Sequence, residues 1–325
     1  MSSSEALWLE PAGGPSAAEL SERRRWWEAR SDSFRAHAPA ALHADADRRE
    51  RPAEAHGLCE RYLPLDSLRG DLFACLRAWF GPALDELEVD LATSSLGRAR
   101  SWLDARAELP SLASGLPAEL FVRCAAAASA HALLFELFCS PRLGAALTRY
   151  PAQLSAIGAA LAGESGRALR IWDAGCATGE GTWALARAAR DAGASRVAAL
   201  GTTPWPLELL CAQRRAFPHD PQRTAQLRAA LEGLDEASCA LSFARHDLRQ
   251  PPPGRDYDLV ACHGVLGGVV QGALPDDLRR LAGAVASGGL LSVTDAFRED
   301  RHAAVARALA ELGWRELAPG LLRKP

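Results

Sequence analysis

The sequence predicts an α/β protein: a doubly wound, mostly parallel sheet closed by an antiparallel C-terminal hairpin, with an all-α domain ahead of it. Three observations predict this. Between Leu65 and Ala162 apolar residues recur at helical spacing; after Gly166 short β-type runs alternate with helical ones; and the first of those runs ends in the glycine-rich turn "DAGCATGEG". Parallel strands need a crossover between them, so strand and helix runs in alternation read as a wound sheet.

The elements follow in order. Residues 1–60 are rich in Ala, Arg, Pro and acids, with one helical patch at "AELSERRRWWEAR", and read as a partly ordered arm whose Trp26 and Trp27 dock on the main body. Residues 61–163 read as a helical domain of four to six helices, "LDSLRGDLFACLRAWFG", "SLGRARSWLDARAEL", "PAELFVRCAAAASAHALLFELFC" and "LGAALTRYPAQLSAIGAALAG", separated by Gly or Pro and placed to cover a substrate mouth. In residues 164–325 "ALRIWDAG", "SRVAALGTT", "CALSFARHD", "YDLVACHG" and "LLSVTDAF" read as strands. "EGTWALARAARDAG", "PLELLCAQRRAF", "PDDLRRLAGAVASGG" and "RHAAVARALAELG" read as helices. "WRELAPGLLRKP" suits a hairpin about a Pro-Gly turn at the sheet edge.

Composition excludes several classes. A chain of 325 residues with 48% hydrophobic content fills a sizeable core, and a net charge of −3 gives no field for nucleic acid or an anionic membrane. No run approaches 18 apolar residues and "MSSSEALWLEPAGG" is no signal peptide, so a cytoplasmic location is expected. Eight cysteines without a CxxC pair suit neither zinc nor a disulfide scaffold. Lys324 is the only lysine, which removes the P-loop and pyridoxal phosphate chemistries.

Ligands of open α/β sheets lie beyond the carboxyl ends of the strands, which makes the first turn the expected site. Gly175, Gly179 and Gly181 permit unusual φ values and a close ligand approach, although glycines here also simply cap tight turns. Asp173 ends the strand and Glu180 opens the helix. Two carboxylates repel a pyrophosphate and attract an ammonium or sulfonium group. A nicotinamide site of the short-chain dehydrogenase kind fits less well, because no Tyr has a lysine four residues on.

S-adenosylmethionine is a cofactor of the required charge. The second strand ends at "GTTP", where Thr202 and Thr203 stand in the place of a ribose-binding acid. The third ends at "HDL", where Asp247 either accepts from the adenine amino group or is a solvated loop carboxylate, with Leu248 beside it as a candidate cofactor-binding residue. The fourth ends at "CHG", with His263 at the methyl acceptor as a candidate general base or as a satisfied strand-end histidine. Asp295 in "VTDAF" also points to the rim, where it equally suits the start of the next helix.

"LRIWDAGCATGE", "TTPWPLELLCAQR", "LSFARHDLRQPPP", "YDLVACHGVLGG" and "ASGGLLSV" together resemble, in order and spacing, the S-adenosylmethionine-dependent chemotaxis protein-glutamate O-methyltransferases, over roughly residues 140 to 295. The resemblance implies a Rossmann-like methyltransferase sheet in which Gly175, Gly179 and Glu180 line the methionine part of the cofactor, and Asp247 stands for an adenine-contacting Asn; Cys176, within the same turn, is a further candidate cofactor-binding residue. The chain departs from the family at Thr203 for an acid, His263-Gly264 for an Arg-Asn pair and Gly268 for a Tyr, with Cys139 or Ser140 where a cofactor-binding Arg is expected. Only 23 residues separate "AQRRAF" from "LSFARHD", too few for the family's receptor-docking subdomain.

The expected function is S-adenosylmethionine-dependent methyl transfer, without a metal, to an O, N or carboxylate acceptor on a small molecule or a protein side chain. The alternative from another class is a catalytically silent relative acting as a regulatory or scaffolding partner. Oligomeric state is not legible in the sequence.

Overall fold

The computed structural model describes residues 9–37, 59–113, 117–139, 149–235, 237–265, 274–294 and 309–325. The chain divides into two compact units, Met1–Arg142 and Leu143–Pro325. Helix Pro151–Leu161, expected in a helical domain running to residue 163, therefore belongs with the sheet. The reason is packing: its Ile157 and Leu161 are buried in one cluster with Leu169 and Ile171 of the first strand.

The first unit is helical. Where a partly ordered arm is expected, residues 17–37 form the 21-residue helix Ala17–His37. Few of its residues are apolar, but Leu20, Trp27 and Phe34 recur every seven and share one buried face. Trp27 is wholly buried, and its indole N–H donates to Asp71 at 3.0 Å, so the aromatic ring is covered without stranding its polar atom. Helix Leu65–Glu86 has Pro82 in its last turn. Pro82 has no N–H for the Ala78 carbonyl, and the Gly14 N–H donates to that carbonyl at 3.0 Å. The expected Ala-rich helix is two, Pro117–Arg123 and Ala127–Phe138. The break leaves the Cys124 carbonyl to the Trp79 indole at 2.8 Å.

The second unit holds a seven-stranded sheet of β1 Ala168–Ala174, β2 Arg196–Thr203, β3 Cys239–Arg245, β4 Tyr257–His263, β5 Val285–Thr294, β6 Arg315–Ala318 and β7 Leu321–Arg323. The order is β3-β2-β1-β4-β5-β7-β6. The first five are parallel, whereas β7 runs antiparallel to β5 and to β6. This is the doubly wound sheet with the antiparallel hairpin that the sequence predicts. A dinucleotide-binding sheet carries a sixth parallel strand beside the fifth; here β7 occupies that place in the opposite direction.

Both faces of the sheet are covered. Helices Pro151–Leu161 and Glu180–Asp191 bury Ile157, Leu161, Leu185, Ala186 and Ala189 on one face, and Leu274–Ala284 buries Leu278, Leu281 and Ala284 on the other. That is why β1 and β4 are near-continuous apolar runs rather than alternating ones. Two details differ from expectation. Helix Pro221–Ala230 lies ahead of β3, and "VASGG" opens β5 rather than closing the preceding helix. Gly288, with φ of +75°, lies where the pairing of β5 with β4 shifts register. Lys324, the single lysine, caps that helix from outside: its ammonium donates to the Val285 carbonyl at 2.6 Å and the Ala282 carbonyl at 3.3 Å.

Candidate functional site

The chain winds outward from β1 to β3, then returns to β4 on the other side of β1. The carboxyl ends of β1 and β4 therefore flank the switch point, where open α/β sheets take their ligands. The turn after β1 lies there. Gly175 and Gly179 have φ of +95° and +91°, the left-handed region. Their α-hydrogens face protein, not open space: a Cβ on Gly175 would come 2.4 Å from Val265 and one on Gly179 2.7 Å from Ala212. The N–H groups of Gly175 and Cys176 both donate to the Thr202 carbonyl, at 2.9 and 2.8 Å, tying this turn to the end of β2.

The two carboxylates of the turn have different fates. Asp173 is 3% exposed, accepts one hydrogen bond, from the Thr182 hydroxyl at 2.7 Å, and among the described residues has no cation beside it. Burial pushes its pKa up to about 6, the Thr182 bond only partly opposing it. Glu180 was expected to attract a cationic ligand, but its charge is already matched from within. Arg223, 43 residues on, donates its Nε to Glu180 Oε1 at 2.5 Å and its Nη2 to the Thr178 hydroxyl at 2.7 Å, and that hydroxyl donates to Glu180 Oε2 at 2.6 Å. The guanidinium also lies 4.1 Å over the Phe217 ring. A buried carboxylate demands such a partner, and helix Pro221–Ala230 brings it.

At the end of β2 both threonine hydroxyls are used internally. Thr202 accepts from the Trp172 indole at 3.0 Å, and Thr203 donates to Glu208 at 2.7 Å. Glu208, buried in the first turn of helix Pro206–Arg214, is an acid that sequence reading missed at this strand end. Its signal was the Pro-x-Glu start of that helix, five residues beyond the threonine. Burial first, then the charges of Asp173 and Glu208, raise the Cys176 thiol well above its ordinary range, which makes it a packing residue.

After β3, the Asp247 carboxylate accepts from the Arg249 backbone N–H at 2.9 Å and pairs with its guanidinium, which lowers its pKa. Leu248 packs its side chain on the β4–β5 core, and its carbonyl accepts from Arg280 Nε at 3.1 Å, while Arg280 also pairs with buried Asp277. Arg280, like Arg223, holds a rim loop from a helix behind it. At the end of β4, His263 lies against the Tyr150 ring, with centroids 5.4 Å apart, and burial alone pushes its pKa down to about 4. Its Nε2 meets the Ser292 hydroxyl at 2.8 Å. Asp173, Gly175, Cys176, Gly179, Glu180, Thr203 and His263 thus gather at neighbouring strand ends, with Asp247 and Leu248 beyond β2 on the same edge. Asp295 and Gly268 lie outside the described residues.

No protein-family model and no curated protein matches the chain. Among solved structures, it is similar to a TehB-like SAM-dependent methyltransferase from Corynebacterium glutamicum, with 17% identity over 52% of this chain and 84% of that one and a TM-score of 0.34. Magnesium protoporphyrin IX methyltransferase from Synechocystis, crystallised with SAM, shows 20% identity over 53% and 76%, with a TM-score of 0.35. For a SAM-dependent methyltransferase from Methanococcus maripaludis the values are 12%, 56% and 87%, with a TM-score of 0.37. Similarity at this level carries no argument by itself, and the fold rests on the observed sheet order.

Proposed function

We propose that the chain is an S-adenosylmethionine-dependent methyltransferase acting on an O, N or carboxylate acceptor. Asp173 carries the reading: a buried carboxyl at the switch point, held by one hydroxyl and lacking a cationic partner among the described residues, calls for a cation from outside the chain. The ammonium and sulfonium of the cofactor meet that need. When bound, the cofactor supplies a methyl group on a sulfonium carbon.

The chain's own residues then divide the work. Gly175 and Gly179 hold the turn in a left-handed course that residues with a Cβ resist, and the Glu180–Arg223 pair locks it from behind. Thr203 and Glu208 offer oxygens at the end of β2 for ribose hydroxyls, in place of a single strand-end acid. Asp247 and Leu248 present a carboxylate and an apolar edge to the adenine. His263 faces the acceptor. In-line transfer asks chiefly for alignment and dryness, and the sheet end supplies fixed side chains for both.

Isothermal titration with S-adenosylhomocysteine, on the wild type and Asp173→Ala, tests the reading. Heat with the wild type that is lost in the variant supports it, and no heat with the wild type sinks it. Labelled methyl transfer into a cell extract separates an enzyme from a silent cofactor-binding partner.

A further inference from the structure

Ser292, fully buried on β5, has a hydroxyl that meets two side chains, Gln153 Nε2 at 2.7 Å and His263 Nε2 at 2.8 Å. An amide NH2 only donates, so Gln153 occupies a lone pair of the serine oxygen. The single serine proton is then left with one acceptor, the imidazole Nε2. The reverse polarity, with Nε2–H donating, strands a buried hydroxyl proton, an arrangement that folded proteins avoid. An imidazole that accepts at Nε2 carries its proton on Nδ1.

The surroundings of His263 point the same way. Its neutral form is favoured by burial, so no second proton undoes the arrangement. Two side chains that can donate lie near it: Tyr150 packs edge-on to its ring, and the Arg149 guanidinium, which has donors only, lies 5.3 Å from the Tyr150 ring centroid. A Cβ on Gly264, the next residue, would stand 2.6 Å from the Tyr150 hydroxyl and 3.7 Å from Arg149 Nη2, which puts all three side chains at one strand end. Among the described residues no carboxylate pairs with Arg149.

We infer that the Gln153–Ser292 chain holds His263 as its Nδ1–H tautomer, and that His263 and Arg149 donate to an oxyanion of the bound acceptor molecule, His263 serving as donor and not as base. Gln153 and Ser292 are positioning residues in this arrangement. A base needs a lone pair where this imidazole already carries a proton. The word acceptor rests on the proposed methyltransferase function; the tautomer and the oxyanion site do not.

Long-range 15N–1H correlation spectra of the full chain, labelled on its eight histidines and assigned with His263→Gln, read the tautomer directly. A pyridine-like Nε2 and a protonated Nδ1 are expected in the wild type, and a mixture of tautomers in Ser292→Ala. A protonated Nε2 in the wild type overturns the inference, as does a single unchanged tautomer in Ser292→Ala. Should that variant not fold, the wild-type spectrum still decides, and Gln153→Leu replaces it with the same expected mixture. Sodium formate, against sodium chloride at equal ionic strength, tests the oxyanion: a saturable shift of the Nδ1–H signal, weakened in Arg149→Ala, is expected, and equal responses to both salts refute that part. Failure of S-adenosylhomocysteine to bind would remove the methyltransferase reading while leaving these spectra intact.

Discussion

Replacing Asp173 by Asn removes one charge while changing almost no volume, so it isolates the electrostatics of the first turn. A carboxyl that ordinarily titrates at 3.8 is pushed up to about 6 here by burial. At about 1.36 kcal/mol per pH unit, the ionised side chain carries roughly 3 kcal/mol of penalty at pH 7. Asn keeps an oxygen for the Thr182 hydroxyl, which now donates at 2.7 Å, but its buried NH2 returns about 1 kcal/mol of the gain. The ligand-free variant is therefore expected to be about 2 kcal/mol more stable than the wild type at pH 7. The sign follows from linkage: the folded pKa lies above the unfolded one, so wild-type stability is complete below pH 3.8, falls as pH rises through about 6, and is level beyond. Urea unfolding of both proteins at pH 4, 5 and 7 should show the gap opening across that window. S-adenosylhomocysteine should bind the variant at least about tenfold more weakly, a loss of about 1.4 kcal/mol. A gap that is absent at pH 7, or affinity equal to the wild type, would refute the argument that this carboxylate waits for a cation.

Arg223→Met leaves Glu180, 4% exposed, buried without its partner and should cost about 3–5 kcal/mol in chemical denaturation; adding Glu180→Gln should recover part of that loss. Gly179→Ala forces a Cβ into a turn at φ +91° and to 2.7 Å from Ala212, so a loss of at least about 1–2 kcal/mol is expected, seen as a lower melting temperature. His263 has a folded pKa depressed to about 4, so its contribution to stability is present above pH 6.5 and lost as pH falls from there to about 4. His263→Gln should flatten the acid unfolding curve within that window, and an identical curve would contradict the burial of the neutral ring.

The strand and helix alternation from Gly166 to Thr294, the closing hairpin and the glycine turn at the end of β1 were legible, because periodicity and turn chemistry are local properties of the chain; the expected helix "RHAAVARALAELG" lies mostly outside the described residues. So was the position of His263 at a strand end. Local pattern failed where glycines carried two meanings: "VASGG" looks like a helix stop and is the irregular start of β5. It also failed in residues 17–37, where three well-spaced apolar side chains suffice to bury a helix.

Charge was legible as identity but not as partnership. The sequence by itself determined that Asp173 and Glu180 flank the first turn; only the tertiary structure decided that Arg223 neutralises Glu180 and that Asp173 has no cationic partner among the described residues. It likewise brought Glu208 to Thr203, Ser292 to His263 across 29 residues and Gln153 to Ser292 across 139. The physical reason is common to these cases. A sequence pattern reports which face of an element is buried, whereas the electrostatics of a buried group depend on whichever distant side chain the fold places within about 3 Å of it.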